Sequence, residues 1–234
     1  MSRPLSSASI HRGDDPHGDQ PVRQSGADLE AATAAVVLLH GRGATAESIL
    51  RLAKAVGTPD VAFLAPQAAG RTWYPQSFLA PLDANEPSLS SALRKVAHVV
   101  ERAVAAGLPS ERVVVGGFSQ GACLSTEFAA RHARRYGGLF GWSGGLIGTG
   151  EVDAADPPRD KTFAYDGDLA GTPVFLGCSN RDPHIPVERV HQTADTLQQI
   201  GGDVTTRIYE GMGHVVNKDE KDFVRTMIAN VASA

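Results

Sequence analysis

The chain has 234 residues, 42% apolar and 21% charged, enough to bury a substantial core in one large α/β domain or two small ones. A net charge of −4, with no basic patch interleaved with aromatics, excludes a general affinity for nucleic acid or anionic membrane. No run approaches the roughly 18 apolar residues of a membrane span, and the N-terminus lacks a signal peptide's apolar core. A soluble cytoplasmic protein without integral membrane association is therefore expected.

Residues 1–20 are polar and rich in Ser, Gly, Pro and Asp, with Leu5 and Ile10 as their sizeable apolar side chains. Such a segment buries too little surface to offset its ordering entropy, so a flexible tail carrying His11 and His17 is predicted, ahead of one domain over 21–234. From residue 34, short apolar runs alternate with helical patterns. The runs at 34–40, 61–65, 112–118, 137–143 and 172–179 are almost continuously apolar, as parallel strands covered on both faces are. The run at 204–211 alternates apolar and polar residues and suits a strand near an edge.

Helices are expected between the strands. Leu89, Leu93, Val96, Val100 and Ala103 form one stripe over 88–106, before Gly107 and Pro109 stop it. Pro186 opens a second helix with Val187, Val190, Ala194 and Leu197 on one face, closed by Gly201 and Gly202. Asn217 and Glu220 resemble a capping box for a last helix whose apolar side is Phe223, Met227, Ile228 and Val231. Strands alternating with helices predict a single doubly wound, mostly parallel sheet flanked by helices. Ligands in such sheets bind beyond the strands' C-terminal ends.

At one such end lies Gly117-Phe118-Ser119-Gln120-Gly121, a G-x-S-x-G pattern between a strand and a helix. A serine on so sharp a turn needs tiny residues two before and two after it, so that strand and helix can approach. The hydroxyl becomes a nucleophile only with a base to take its proton and a third group to orient the base. Asp182 follows the 172–179 strand and His214 follows the 204–211 strand, in the order Ser, acid, His expected of this architecture. An Asp before Pro also serves as a plain turn former. His184 is the rival base, but it lies too close to Asp182 along the chain. His40 is read as a brace for the loop "HGRGA", and His98, His132 and His191 as helix residues. A metal site built from Asp182, His184 and His191 lacks a dense ligand cluster, so no metal is expected.

Acyl transfer also needs donors for the developing oxyanion. The backbone N–H of Gln120, after the nucleophile, and of Arg42, in the loop after the first strand, are assigned to it. That glycine loop lacks the phosphate-binding spacings. Trp73, Tyr74, Phe78 and Leu79 are candidates for a substrate pocket, or else pin their Pro-rich loop to the surface. Phe163, Tyr165 and Leu169, in the long loop 148–171, are candidates for the opposite wall. Cys123 and Cys178 lie in apolar surroundings and read as reduced thiols.

With these residues in place, "LLHGRGATAESIL", "TWYPQSFLAP", "GFSQGACLS", "GWSGGLIG", "DPHIPVERV" and "YEGMGH" resemble the phospholipase/carboxylesterase family of α/β-hydrolases, in particular a bacterial branch. That family includes the acyl-protein thioesterases. The resemblance implies the α/β-hydrolase fold, Ser119, Asp182 and His214 as triad, the Arg42 and Gln120 amides as oxyanion hole, and no cofactor. It departs at Arg42, where eukaryotic-type thioesterases more often carry an apolar residue, so their lipidated-protein substrates are not carried over. Dienelactone hydrolases share the fold but use a cysteine nucleophile, whereas Cys123 stands a turn beyond the elbow.

The expectation is a carboxylesterase acting on small soluble esters, aryl or of short to medium acyl length. A thioesterase or lysophospholipase on the same triad, and a non-catalytic ligand-binding protein, are the alternatives. A peptidase would need a further domain to screen its substrates. An exposed sheet edge or helix face leaves room for a homodimer, which no residue pattern specifies.

Overall fold

The computed structural model describes residues 15–151 and 161–234. Seven strands form one sheet: β1 (Val22–Gly26), β2 (Ala34–Leu39), β3 (Val61–Pro66), β4 (Val113–Phe118), β5 (Gly138–Trp142), β8 (Pro173–Ser179) and β9 (Asp203–Tyr209). Their spatial order is β1-β3-β2-β4-β5-β8-β9, parallel throughout except for antiparallel β1 at one edge. Two-residue strands β6 (Gly150–Glu151) and β7 (Lys161–Thr162) pair as a separate ribbon. The helices are α1 (Ala46–Val56), α2 (Ser88–Ala105), α3 (Gln120–Arg131), α4 (Val187–Gln199) and α5 (Lys218–Ser233).

Alternate residues of each central strand feed opposite cores, as the pleat requires. Val37, Leu39, Leu64, Val115 and Leu176 meet α2, α3 and α4 through Val96, Leu124 and Val190. Val36, Leu38, Phe63, Phe140 and Phe175 meet α1 and α5 through Ile49, Val224 and Ile228. Burial on both faces is why these strands read as unbroken apolar runs, and β9, half-buried along its length, is why the last one alternates. Asn217 caps α5 by accepting from the Glu220 amide, while the Glu220 carboxylate accepts from the Asn217 amide.

The predicted tail requires correction. Residues 1–14, with His11, lie outside the described residues, but 15–20 are packed against the domain. His17 is buried; its Nδ1 accepts from the Ala69 amide at 3.0 Å, which leaves Nε2 to donate to the Trp73 carbonyl at 2.9 Å. Its own amide donates to Ser91, and the Lys95 ammonium donates to the carbonyls of Gly18 and Gln20. Long-range hydrogen bonds and the contact of the His17 ring with Trp73 hold this segment, and composition does not register them. β1, in the stretch just after it, was likewise not resolved by the sequence pattern; it is short, polar and mostly exposed.

Candidate active site

The site forms where β2 and β4, adjacent in the sheet, send their following helices to opposite faces. Ser119 occupies the turn between β4 and α3 at φ 56°, ψ −121°, a left-handed backbone that a serine adopts only under constraint. Its amide donates to the Trp142 carbonyl and its carbonyl accepts from the Cys123 amide, fixing it to β5 on one side and α3 on the other. Clearance comes from the flanking glycines. A Cβ on Gly121 would stand 2.2 Å from the Leu39 carbonyl oxygen, and one on Gly117 would stand 2.6 Å from the same atom.

The three residues predicted just past the ends of β4, β8 and β9 converge. His214 Nε2 lies 2.8 Å from Ser119 Oγ, and His214 Nδ1 lies 2.7 Å from Asp182 Oδ2. The other carboxylate oxygen of Asp182 accepts from the amides of His184 and Ile185 at 2.9 and 3.1 Å. Burial pushes the Asp182 carboxyl up. The hydrogen bonds from His214 and the His184 amide outweigh that and hold it below its ordinary value. His184 stands beside His214 and outside this hydrogen-bonded line: its ring meets His214 edge-on at 4.8 Å, with Phe118 on another side at the same distance. The two loops are tied to each other. Ser179 Oγ accepts from the amides of Arg181 and Gly213, and the Asn180 side chain accepts from Gly211.

Arg42 and Gln120 line the same cleft as Ser119, and neither backbone amide has an intramolecular acceptor among the described residues. Both side chains act on the facing loop. The Arg42 guanidinium donates to the carbonyls of Pro75 and Gln76. Gln120 accepts from the Trp73 amide and the Thr72 hydroxyl through Oε1, and donates to the Tyr74 carbonyl through Nε2. Sequence reasoning assigned only main-chain roles to these two residues; their partners lie 33 to 48 positions away, beyond any local pattern.

The cleft measures about 510 Å³, and its walls include Tyr74, Phe78, Cys123 and Ile185. Of the four pocket candidates, Tyr74 and Phe78 line it. Trp73 and Leu79 do not: Trp73 is fully buried, donates its indole N–H to the His40 carbonyl and packs between His17 and His40, while Leu79 packs against the core. His40 braces the loop as expected, accepting from the Ala68 amide and donating to the Gly41 carbonyl. The opposite wall also differs from expectation. Tyr165 donates to Glu127, Phe163 lies over Arg189 and Leu169 is buried, so none of the three lines the cleft. Residues 152–160 of that loop lie outside the described residues.

Burial pushes the Cys123 thiol up to about 11 and the Cys178 thiol up to about 12. Both stay protonated at neutral pH and are poor rivals to Ser119. No cluster of three or more His, Cys, Asp or Glu side chains converges as a metal site among the described residues. No helix among them is long and apolar enough to cross a membrane. A larger hollow of about 630 Å³ lies by Gly137, Pro173, Met227 and Val231 and contains none of the three converging residues.

Comparison with known proteins agrees with this architecture. A phospholipase/carboxylesterase from Dyadobacter fermentans superposes with a TM-score of 0.81 at 41% identity, covering 90% of this chain and 97% of that one. A Bacillus cereus carboxylesterase shares the fold at 18% identity, with a TM-score of 0.70 over 92% of this chain and 95% of its own. Acyl-protein thioesterase 1 of Gibberella zeae is 30% identical over 131 residues, 56% of this chain and 53% of the relative; the match thus spans about half that protein's length. The sequence pattern of the phospholipase/carboxylesterase family matches residues 26–232, and the chain belongs to that family.

Proposed function

We propose that the protein is a serine carboxylic-ester hydrolase acting on small esters. The observation that carries this reading is the continuous hydrogen-bonded line from Asp182 through His214 to Ser119. Ser119 Oγ attacks the ester carbonyl while its proton passes to His214 Nε2. The negative charge on the tetrahedral oxygen is received by the Arg42 and Gln120 amides. Collapse breaks the bond to the alkoxy oxygen, which leaves as alcohol with the proton from His214. A water then repeats the sequence on the acyl-serine and releases the acid. Asp182 keeps the imidazole in the tautomer that presents Nε2 to the serine, and stabilises the imidazolium that forms.

Thioesters belong to the same chemistry, and the thioesterases among the relatives make them the second substrate class to measure. The test is a panel of p-nitrophenyl, aryl and thioester substrates of graded acyl length, with fluorophosphonate labelling alongside. Hydrolysis that disappears in Ser119→Ala, with label on Ser119, is expected. Hydrolysis surviving in that variant would overturn the mechanism. An unlabelled, inactive wild type would leave a ligand-binding protein instead.

A further inference from the structure

Behind the cleft wall lies a buried cation with no ion-pair partner among the described residues. Arg189, in the first turn of α4, is 7% exposed. Its Nη2 donates to the Leu146 carbonyl at 2.7 Å, while Nε and Nη1 are buried and have no hydrogen-bond partner. No carboxylate forms an ion pair with it among the described residues. Glu127, whose charge acts on Arg189, is already engaged: its two oxygens accept from the Arg131 guanidinium, the amides of Ile147 and Gly148, and the Tyr165 hydroxyl. Lys161, a second cation in the neighbourhood, adds repulsion.

Two aromatic rings cover the guanidinium, Phe163 at 4.8 Å and Phe78 at 5.5 Å from ring centroid to Cζ. Ring faces offset part of a cation's desolvation, but they are weak acceptors beside a carboxylate. A buried cation with free N–H groups is costly to keep unless something pairs with it. Phe78 is also a wall of the cleft that holds Ser119, as are Ile185, one turn before Arg189, and Cys123. Phe78 thus belongs both to the cover of the guanidinium and to the wall of the cleft.

We infer that Arg189 is an anion-recognition group of the substrate site, and that the preferred substrates are esters carrying a carboxylate several bonds from the scissile carbonyl. This rests on the esterase reading above. The carboxylate would take the unpartnered N–H groups, with Phe78 as the movable partition between cleft and charge. Because the pairing forms away from the reacting atoms, it selects substrates without altering the chemistry at Ser119.

The experiment compares ester pairs that differ by one carboxylate: p-nitrophenyl hexanoate against the p-nitrophenyl half-ester of adipate, and phenyl butyrate against 3-(butanoyloxy)benzoate. These place the carboxylate on the acyl and the alcohol side respectively. Wild-type protein should favour the carboxylate member of one pair in kcat/KM. Arg189→Met should reduce that preference by about ten- to a hundredfold, with Arg189→Lys between the two. Equal ratios in wild type and Arg189→Met for both pairs would overturn the inference. Should Arg189→Met not fold, wild-type hydrolysis of the neutral ester decides. Inhibition by glutarate but not by glutaramide supports the site, and equal or absent inhibition by both refutes it. If no ester is hydrolysed at all, the esterase reading fails by itself. Anion recognition is then read from thermal stabilisation by glutarate that glutaramide does not give.

Discussion

Gln120 holds Trp73: its side-chain oxygen accepts the Trp73 amide at 2.9 Å, so the residue that follows the elbow serine also fixes the loop facing it. The main chain of Gln120 stays beside Ser119 while the side chain clamps Thr72, Trp73 and Tyr74 from one point.

This clamp predicts the behaviour of Gln120→Glu. A carboxylate can still accept from Trp73 and Thr72, but it cannot donate to the Tyr74 carbonyl, and it brings negative charge beside the position proposed for the oxyanion. We expect kcat to fall about 10²-fold with a smaller change in KM. Steady-state kinetics on a neutral ester check this, and an unchanged kcat would refute the clamp's link to the site.

Gly121→Ala should damage the elbow itself. The added methyl would overlap the Leu39 carbonyl, which belongs to the backbone of β2 and cannot swing away. A loss of about 2–4 kcal/mol in denaturant unfolding is expected, or a folded protein without activity because Ser119 has shifted. A variant with wild-type stability and turnover would contradict the packing described here.

Asp182→Asn leaves an oxygen for the His184 and Ile185 amides but removes the charge that faces His214. Folding should survive, and kcat should drop about 10³–10⁴-fold. Circular dichroism and kcat on the same sample separate the two effects, and a fall below tenfold would count against Asp182 as the orienting acid.

Two sets of buried groups give stability opposite dependences on pH. Burial lowers His17 and His40 below their ordinary value of 6.5, so the stability they contribute is present above pH 6.5 and lost as pH falls. Burial, with the charge of Asp219, raises Glu220 from 4.5 to about 7 against its bond from the Asn217 amide. Its contribution is full below pH 4.5 and lost as pH rises through 7. Glu220→Gln should therefore gain about 1–3 kcal/mol over wild type at pH 8 and little at pH 5. Melting curves across this range check it; an advantage that does not grow with pH would show that Glu220 is not titrating there.

The sheet and its converging residues were legible because each rests on a local signal. Apolar runs marked β2, β3, β4, β5 and β8, alternation marked β9, and Ser119, Asp182 and His214 each stood just past a strand end. Long-range polar bonds leave no such trace. His17 looked like tail because its partners, Ala69 and Trp73, are more than fifty residues on. Trp73 looked like a pocket wall because an aromatic in a Pro-rich loop has the same local sequence whether it faces ligand or core. Arg189 was hidden inside a helical pattern that recorded its apolar neighbours and passed over the charge.

Arg42 divides its two halves between different tasks. Its side chain bolts the strip at Pro75 and Gln76, while its amide belongs to the backbone that every residue shares. Replacing the side chain, as in Arg42→Ala, removes the bolt and keeps the amide, so turnover should weaken about tenfold and not vanish. The mouth of the cleft can thus be slackened or tightened over evolutionary time by a single codon, with Ser119, His214 and Asp182 left as they were.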